Sequence, residues 1–246
     1  MLELLTDTRI DLARSGARHG EGLFETLRVR DGAPLRLAAH LERLAAGARF
    51  LGLEPPPPLD QVQAFLAARS ACPALASGVL RLLAVDRLLM VSAAPWRPDR
   101  PGRIALDLSL ATRRFSGNPL NRFKTFAYLE NRLLAREAGR RGLFEVVAAN
   151  EQDRLTDGSR TSLFLVLDGQ LLTPPVTAGA LPGVARRTLL EAGLAREAPL
   201  APRDLERAEA ALLTNALQGG VPVALLGGRP LDPDHPLLAE ATALLG

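Results

Sequence analysis

The chain carries 30 basic residues, and a single one of them, Lys124, is a lysine; all the others are arginines. A guanidinium can stand in for most solvated ammonium groups, so one lysine kept in an arginine-rich sequence raises the question of what arginine cannot do there. A lysine amine can lose its proton, act as a nucleophile and form a Schiff base with a carbonyl, whereas arginine stays charged. The chemistry implied is covalent attachment of a carbonyl compound at Lys124; the bland alternative is a chance survivor on a solvated face. Other reactive groups offer less. Cys72 is alone, which excludes an internal disulfide, gives no zinc pattern and suits a reducing compartment. His19, His40 and His235 are too scattered for a metal cluster, and no metal is expected.

The elements that must position Lys124 follow from periodicity and turn signals. Leu23 to Leu37 reads as a hairpin, with Phe24, Thr26 and Leu27 on the outgoing strand, Asp31-Gly32 at the turn and a return through Leu35. A helix from about Ala38 to Leu51 puts Leu41, Leu44 and Ala45 on one face, and the run Pro55 to Pro58 stops it. A second helix, Leu59 to about Arg69, leads into a hairpin of Val79 to Val85 and Leu88 to Val91, turned at Asp86-Arg87. A further strand, Ile104 to Leu110, is expected to close this half as an antiparallel sheet with helices on one side. The stretch from Ala111 to Asn121, with Ser116, Gly117, Asn118 and Pro119, breaks the periodicity and reads as an inter-domain connection. Phe126 to Arg141 then has helical composition ended by Gly142, so Lys124 falls where a loop or strand meets a helix start. Strands follow at Phe144 to Ala149, Thr161 to Leu167 and Gln170 to Thr173, then a helix from Val184 to Ala192 and short strands near Ala211 to Thr214 and Val221 to Leu226. The expected class is α+β, with residues 1–111 as a smaller N-terminal domain, 112–121 as the linker and 122–246 as a larger C-terminal domain carrying Lys124.

Composition narrows the partners. At 246 residues and 47% hydrophobic the chain can bury a sizeable core. The pI near 9.9 suggests nucleic acid, yet net charge is only +3 because acids are interspersed among the arginines. With one Trp (Trp96) and one Tyr (Tyr128), there is no stock of stacking platforms, and no nucleic-acid partner is expected. The opening segment MLELLTDTRIDLAR is charged within its first turn, and no run approaches the 18 or so apolar residues of a membrane span. A cytoplasmic protein with no membrane partner is the expectation, and no internal repeat is present.

Six segments in sequence order resemble the class IV, branched-chain or D-amino-acid type, family of pyridoxal phosphate enzymes. They are GEGLFETLRV (Gly20 to Val29), HLERL (His40 to Leu44), KTFAYLEN (Lys124 to Asn131), LTDGSRTSLFLV through LLTPP (Leu155 to Pro175), LPGVAR (Leu181 to Arg186) and TNALQGGVPV (Thr214 to Val223). The last most resembles the aminodeoxychorismate lyase branch. The resemblance implies the two-domain fold of D-amino-acid aminotransferase, fold type IV, with the cofactor in the inter-domain cleft, and a homodimer. Pyridoxal 5'-phosphate has an aldehyde, a phosphate and a pyridine nitrogen, so its site needs an amine, anion-binding groups and an acid.

Residue by residue, the resemblance makes Lys124 the amine and later the base that moves a proton. It pairs Arg43 with the phosphate and adds the helix start at Val184 and Ala185, whose free N–H groups favour an anion. Thr214, Asn215 and Ala216 match a second phosphate loop, and Tyr128 matches a partner for the ring hydroxyl. Asp157 stands where relatives usually carry the glutamate that keeps the pyridine nitrogen protonated; aspartate is one methylene shorter, roughly 1.5 Å of reach, and Asp157-Gly158 also reads as a plain turn. Ser162, where asparagine is common, and Ala127, often polar, are further departures. Arg43 on its own reads as a surface charge rather than a ligand, and Tyr128 equally as a core residue with a wet tip.

The resemblance points first to 4-amino-4-deoxychorismate lyase, which releases pyruvate and forms 4-aminobenzoate for folate synthesis from an amine substrate. Thr26 is then a candidate to protonate the leaving group, against the alternative of a strand threonine paired across its sheet. An aminotransferase of D- or branched-chain amino acids is the second reading, and the loop Asn215 to Pro222 lacks the Ser/Thr-rich, glutamate-bearing run of those enzymes. A noncatalytic binding protein is the third, motivated by Asp157 and Ser162. Arg28, Arg81, Arg113, Arg114 and Arg160 remain open as contacts to substrate carboxylates.

Overall fold

A computed structural model of the chain describes residues 3–5, 9–10, 16–98 and 102–246. Its contacts group into two units, Met1–Pro98 with Phe123–Tyr128, and Asp99–Arg122 with Leu129–Gly246. The first unit is built on a five-stranded sheet, and its strands and helices in chain order are β1 (Glu3–Leu5), β2 (Leu23–Arg30), β3 (Ala33–Pro34), α1 (Leu37–Leu51), α2 (Leu59–Ala67), α3 (Pro73–Ala76), β4 (Gly78–Val85) and β5 (Leu88–Pro95). The sheet order is β1-β5-β4-β2-β3. The Asp31-Gly32 and Asp86-Arg87 turns lie as expected, with Asp31, Gly32 and Asp86 at positive φ, the backbone a tight hairpin demands. β2 alternates strictly. Leu23, Leu27 and Val29 enter the core against Leu37, Leu41, Leu44 and Ala48 of α1, while Phe24, Thr26 and Arg28 take the other face.

The second unit contains β6 (Ala105–Arg114), α4 (Leu129–Arg140), β7 (Glu145–Asn150), β8 (Leu155–Gly158), β9 (Ser162–Leu167), β10 (Gln170–Thr173), α5 (Val184–Glu191), β11 (Arg196–Glu197), α6 (Pro202–Arg207), β12 (Ala210–Asn215), β13 (Gly219–Pro222), β14 (Leu225–Leu226), β15 (Arg229–Pro230) and α7 (Pro236–Leu245). Two sheets, β15-β14-β6-β7-β8 and β11-β10-β9-β12-β13, share one core in which Leu106, Val147 and Leu155 meet Leu163, Leu165 and Leu213. α5 and α7 cover the far face of the second sheet, and α4 covers Val146 and Ala148 of the first.

Three sequence expectations change. The strand expected at Ile104 to Leu110 does not close the first sheet; as β6 it pairs in parallel with β7 and β14, through Leu106 with Glu145 and Ala105 with Leu225. A parallel pair needs a long crossover, here supplied by α4, and alternation within one strand does not say which sheet it joins. β6 also runs on through Arg114 into the expected linker, past a bulge between Leu108 and Arg113. Glu137 takes up the freed donors there, accepting from Leu110 N (2.8 Å) and Ser109 Oγ (2.6 Å). The helix expected from Phe126 begins only at Leu129. Before it, Phe24 N donates to Lys124 O and Phe126 N to Gly22 O, both at 2.8 Å, so the start of β2 holds residues 124–126 as an extended bridge. Finally, Asp157 and Gly158 end a strand, β8, and the bend follows at residues 159 and 160.

Candidate active site

The bridge to β2 fixes Lys124. Residues 124 and 24 are neighbours in the pairing centred on Leu23 and Thr125, so their side chains share a face. The Lys124 ammonium lies 4.4 Å from the Phe24 ring centroid and 4.7 Å from that of Tyr128, and Nζ donates to the Tyr128 hydroxyl at 3.1 Å. The two rings meet edge to face at 5.0 Å. An amine set between two aromatic faces, with one hydroxyl in reach, is held in a defined direction while its stem stays apolar. Thr26, two residues beyond Phe24, takes the same face of β2 and pairs across the sheet with Arg81.

On the opposite face of β2 sits Glu25, fully buried and flanked by apolar positions. Its carboxylate grips Arg43 in a two-pronged contact, Nε to Oε1 at 2.8 Å and Nη2 to Oε2 at 2.6 Å, and receives His40 Nδ1 at 2.7 Å. His40 and Arg43, three residues apart on α1, reach it from one helix face. Burial alone would push Glu25 up, but the Arg43 charge and the bonds from His40 and Arg43 outweigh it and hold the carboxyl at about 2. Burial pushes His40 down despite Glu25, so at neutral pH it is an uncharged imidazole whose Nδ1–H donates to Oε2. Arg43 is thus a fixed group, not a waving surface charge: two of its five N–H donors are spent on Glu25.

In the second unit, Asp157 is buried at the end of β8. Its Oδ2 accepts from Leu181 N at 2.9 Å, which ties it to the segment leading into α5. Its Oδ1 lies 2.8 Å from Arg114 Nε, yet that N–H does not point at it, so the ion pair leaves Oδ1 without an aligned hydrogen bond. The bend after Asp157 is gripped from below by Glu145, which accepts from Ser159 N (3.0 Å), Arg160 N (3.2 Å) and Thr161 Oγ1 (3.0 Å). Gly158 has to be a glycine: a Cβ there would come within 2.6 Å of the Glu145 carboxyl carbon. Burial raises Glu145 above the ordinary carboxylate range against those bonds. Arg113 is exposed and paired with Asp153, and the Arg160 guanidinium lies over the Phe144 ring.

α5 starts at Gly183 with no side-chain cap, and Val184 and Ala185 supply its buried first turn. Thr214, near the end of β12, is buried with Oγ1 lacking any hydrogen-bond partner. Asn215 spends its Oδ1 on Leu217 N and Gln218 N, both at 2.9 Å, closing the turn that contains Ala216. The structure therefore places Lys124, Tyr128 and Thr26 on one face of the first unit's sheet, Arg43 with Glu25 at the other, and Asp157, Val184, Ala185, Thr214, Asn215 and Ala216 in the second unit. Sequence reasoning passed over Phe24, Glu25 and Glu145. A signal existed for Glu25, since it has the parity of Leu23, Leu27 and Val29 and so had to be a buried acid in need of partners.

The family model for amino-transferase class IV matches residues 22–226. The chain belongs to this family, whose members are pyridoxal phosphate-dependent enzymes acting as lyases or aminotransferases. It is 30% identical over 205 residues, 73% of this chain and 71% of the other, to a bifunctional aminodeoxychorismate lyase / D-amino acid transaminase of Mycobacterium tuberculosis. A Legionella pneumophila protein provisionally described as a 4-amino-4-deoxychorismate lyase superposes with a TM-score of 0.89 at 26% identity, covering 99% of this chain and 98% of that one. A hypothetical aminotransferase from Mycobacterium tuberculosis, with α-ketoglutarate and PMP bound, gives 0.81 at 27% identity over 97% and 92%. Among the described residues no helix is long and apolar enough to cross a membrane.

Proposed function

We propose that this chain binds pyridoxal 5'-phosphate and acts as a 4-amino-4-deoxychorismate lyase. The observation that carries the cofactor reading is Lys124: the sole lysine, its amine turned between Phe24 and Tyr128 at the edge of a rigid strand. Two groups left wanting a partner suit the cofactor's phosphate, the uncapped start of α5 and the unpaired Thr214 hydroxyl. The buried Asp157 carboxylate, held by Leu181 N and paired with Arg114, suits a protonated ring nitrogen. When bound, the cofactor supplies a carbonyl for the amine and a ring that accepts electrons.

In this reading Lys124 holds the carbonyl and, once freed by the substrate amine, takes the proton from the substrate ring carbon that bears that amine. Arg43, held by Glu25, clamps the phosphate together with Val184, Ala185, Thr214, Asn215 and Ala216. Asp157 keeps the ring nitrogen protonated and Tyr128 meets the ring hydroxyl. Thr26 gives a proton to the departing enolpyruvyl group as its bond to the ring breaks, leaving pyruvate and 4-aminobenzoate. Arg81, opposite Thr26 on the same face of the sheet, is suited to a substrate carboxylate. The loop Asn215 to Pro222, without the Ser/Thr-rich, glutamate-bearing run of the D- or branched-chain transaminases, supports a lyase, and the bifunctional relative supports a side activity on D-amino acids.

The test is to offer aminodeoxychorismate with no keto acid, and separately D-alanine or leucine with 2-oxoglutarate. Formation of 4-aminobenzoate and pyruvate in the first mixture is expected. Turnover confined to the second mixture makes the chain an aminotransferase, and failure to take up pyridoxal phosphate at all leaves a noncatalytic member of the fold.

A further inference from the structure

Ser162 opens β9 beside the start of α5, and its place in the sheet is informative. β9 and β12 pair antiparallel with Ser162 opposite Thr214, so both side chains leave the sheet on one face. Along that face the strands are apolar, with Phe164 and Val166 beside Leu212 and Ala210, all packed under α5 and α7. Where α5 begins, the apolar row gives way to two hydroxyls. Thr214 is 1% exposed and its Oγ1 has no partner, a costly arrangement that valine would avoid if packing were the purpose. The helix start beside them has no side-chain cap, and the N–H groups of a first turn have no partner within their helix. A Cβ on residue 183 would come within 2.7 Å of Ser162 Oγ, so that oxygen stands where a capping side chain of α5 would begin. The glycine of the Leu-Pro-Gly segment admits the serine, and a bulkier asparagine in the place of Ser162 would press on the helix start.

We propose that Ser162 is an anion ligand in this chain, its hydroxyl donating together with that of Thr214 and the first-turn N–H groups of α5 to one phosphate-type oxyanion. The inference rests on the pyridoxal phosphate reading and adds to it a residue which that reading leaves unassigned. Ser162→Ala and Thr214→Val remove one donor each and keep the apolar contacts.

Binding of pyridoxal phosphate and of pyridoxal, which lacks the phosphate, to the apoprotein of wild type and both variants tests this by absorbance titration, alongside apoprotein melting. Each variant should weaken pyridoxal phosphate binding about tenfold, the size of one lost hydrogen bond to a charged group. Pyridoxal binding should stay within about twofold, and Thr214→Val apoprotein should melt no lower than wild type, because its unpaired hydroxyl is gone. A change in pyridoxal phosphate affinity below about twofold in Ser162→Ala, or an equal loss for pyridoxal, overturns the assignment of Ser162. A wild-type protein that binds the two compounds equally well overturns the phosphate reading itself, and this inference with it.

Discussion

Two of the buried glutamates, Glu25 in the first unit and Glu145 in the second, are held by opposite means. Glu25 is answered by the charge of the Arg43 guanidinium, with a hydrogen bond from the His40 imidazole beside it. Glu145 is held by two backbone N–H groups and a threonine hydroxyl at the bend after Asp157. Burial acts on both in the same direction, yet the outcomes diverge: Glu25 falls to about 2 while Glu145 is raised. The difference shows what each acid is for. One fixes the direction of the Arg43 guanidinium, and the other shapes the stretch of backbone that follows Asp157.

The largest expected effect removes the amine. Lys124→Arg should abolish turnover while leaving the fold intact, because charge is kept and the deprotonatable nucleophile is lost; measurable activity with melting unchanged would take the chemistry away from the first unit. Next comes Asp157, the acid that the Glu145-held bend adjoins. Asp157→Asn should bind the cofactor and slow proton abstraction on the order of a hundredfold, and Asp157→Glu, the length usual in relatives, should keep substantial activity. Single-turnover rates at saturating cofactor decide: an active Asn variant beside a damaged Glu variant would reduce Asp157 to a backbone role.

The two buried acids can be set against each other by pH. Glu25 has a folded pKa below its ordinary 4.5, so its contribution of about 3 kcal/mol is present above pH 4.5 and is lost as pH falls toward 2. Glu25→Gln should therefore destabilise strongly at pH 7 and much less at pH 3. Glu145 has the opposite sign, since its folded pKa is raised: its ionised form is penalised at neutral pH, and wild type should gain on Glu145→Gln as pH falls. Urea unfolding of both variants at the two pH values reads the difference, and parallel behaviour of the two would break the comparison. The smallest effect belongs to Arg43. Arg43→Ala should weaken cofactor affinity about tenfold and change saturated turnover less, as a clamp acts in ground and transition states alike; an unchanged dissociation constant would leave the Glu25 network as scaffolding only.

The sequence disclosed most of the local structure and little of the partnering. The hairpin turns at Asp31-Gly32 and Asp86-Arg87, the helix of His40 and Arg43, and the run Ser162 to Leu167 are governed by nearby residues, so periodicity and turn chemistry found them. The sheet that β6 joins depends on residues 40 to 120 positions away, and nothing local marks it. Lys124 was legible because its type is singular, whereas the cage of Phe24 and Tyr128 depends on a bridge between residues about 100 apart. Glu25 and Glu145 are acids within apolar patterns, a visible anomaly, but their partners sit on other elements. Asp157-Gly158 also read as a turn because composition does not report pairing, and it is the pairing of Gly158 with Val147 of β7 that makes it a strand end.

The central claim is that the amine of Lys124 carries the cofactor. Purified protein loaded with pyridoxal phosphate, reduced with borohydride, digested and mapped by mass spectrometry tests it most directly, because no other lysine side chain exists to compete. A pyridoxyl group is expected on the peptide containing Lys124, with full occupancy in wild type and none in Lys124→Arg. A label found only on the N-terminal amine, or no label at all, would contradict it.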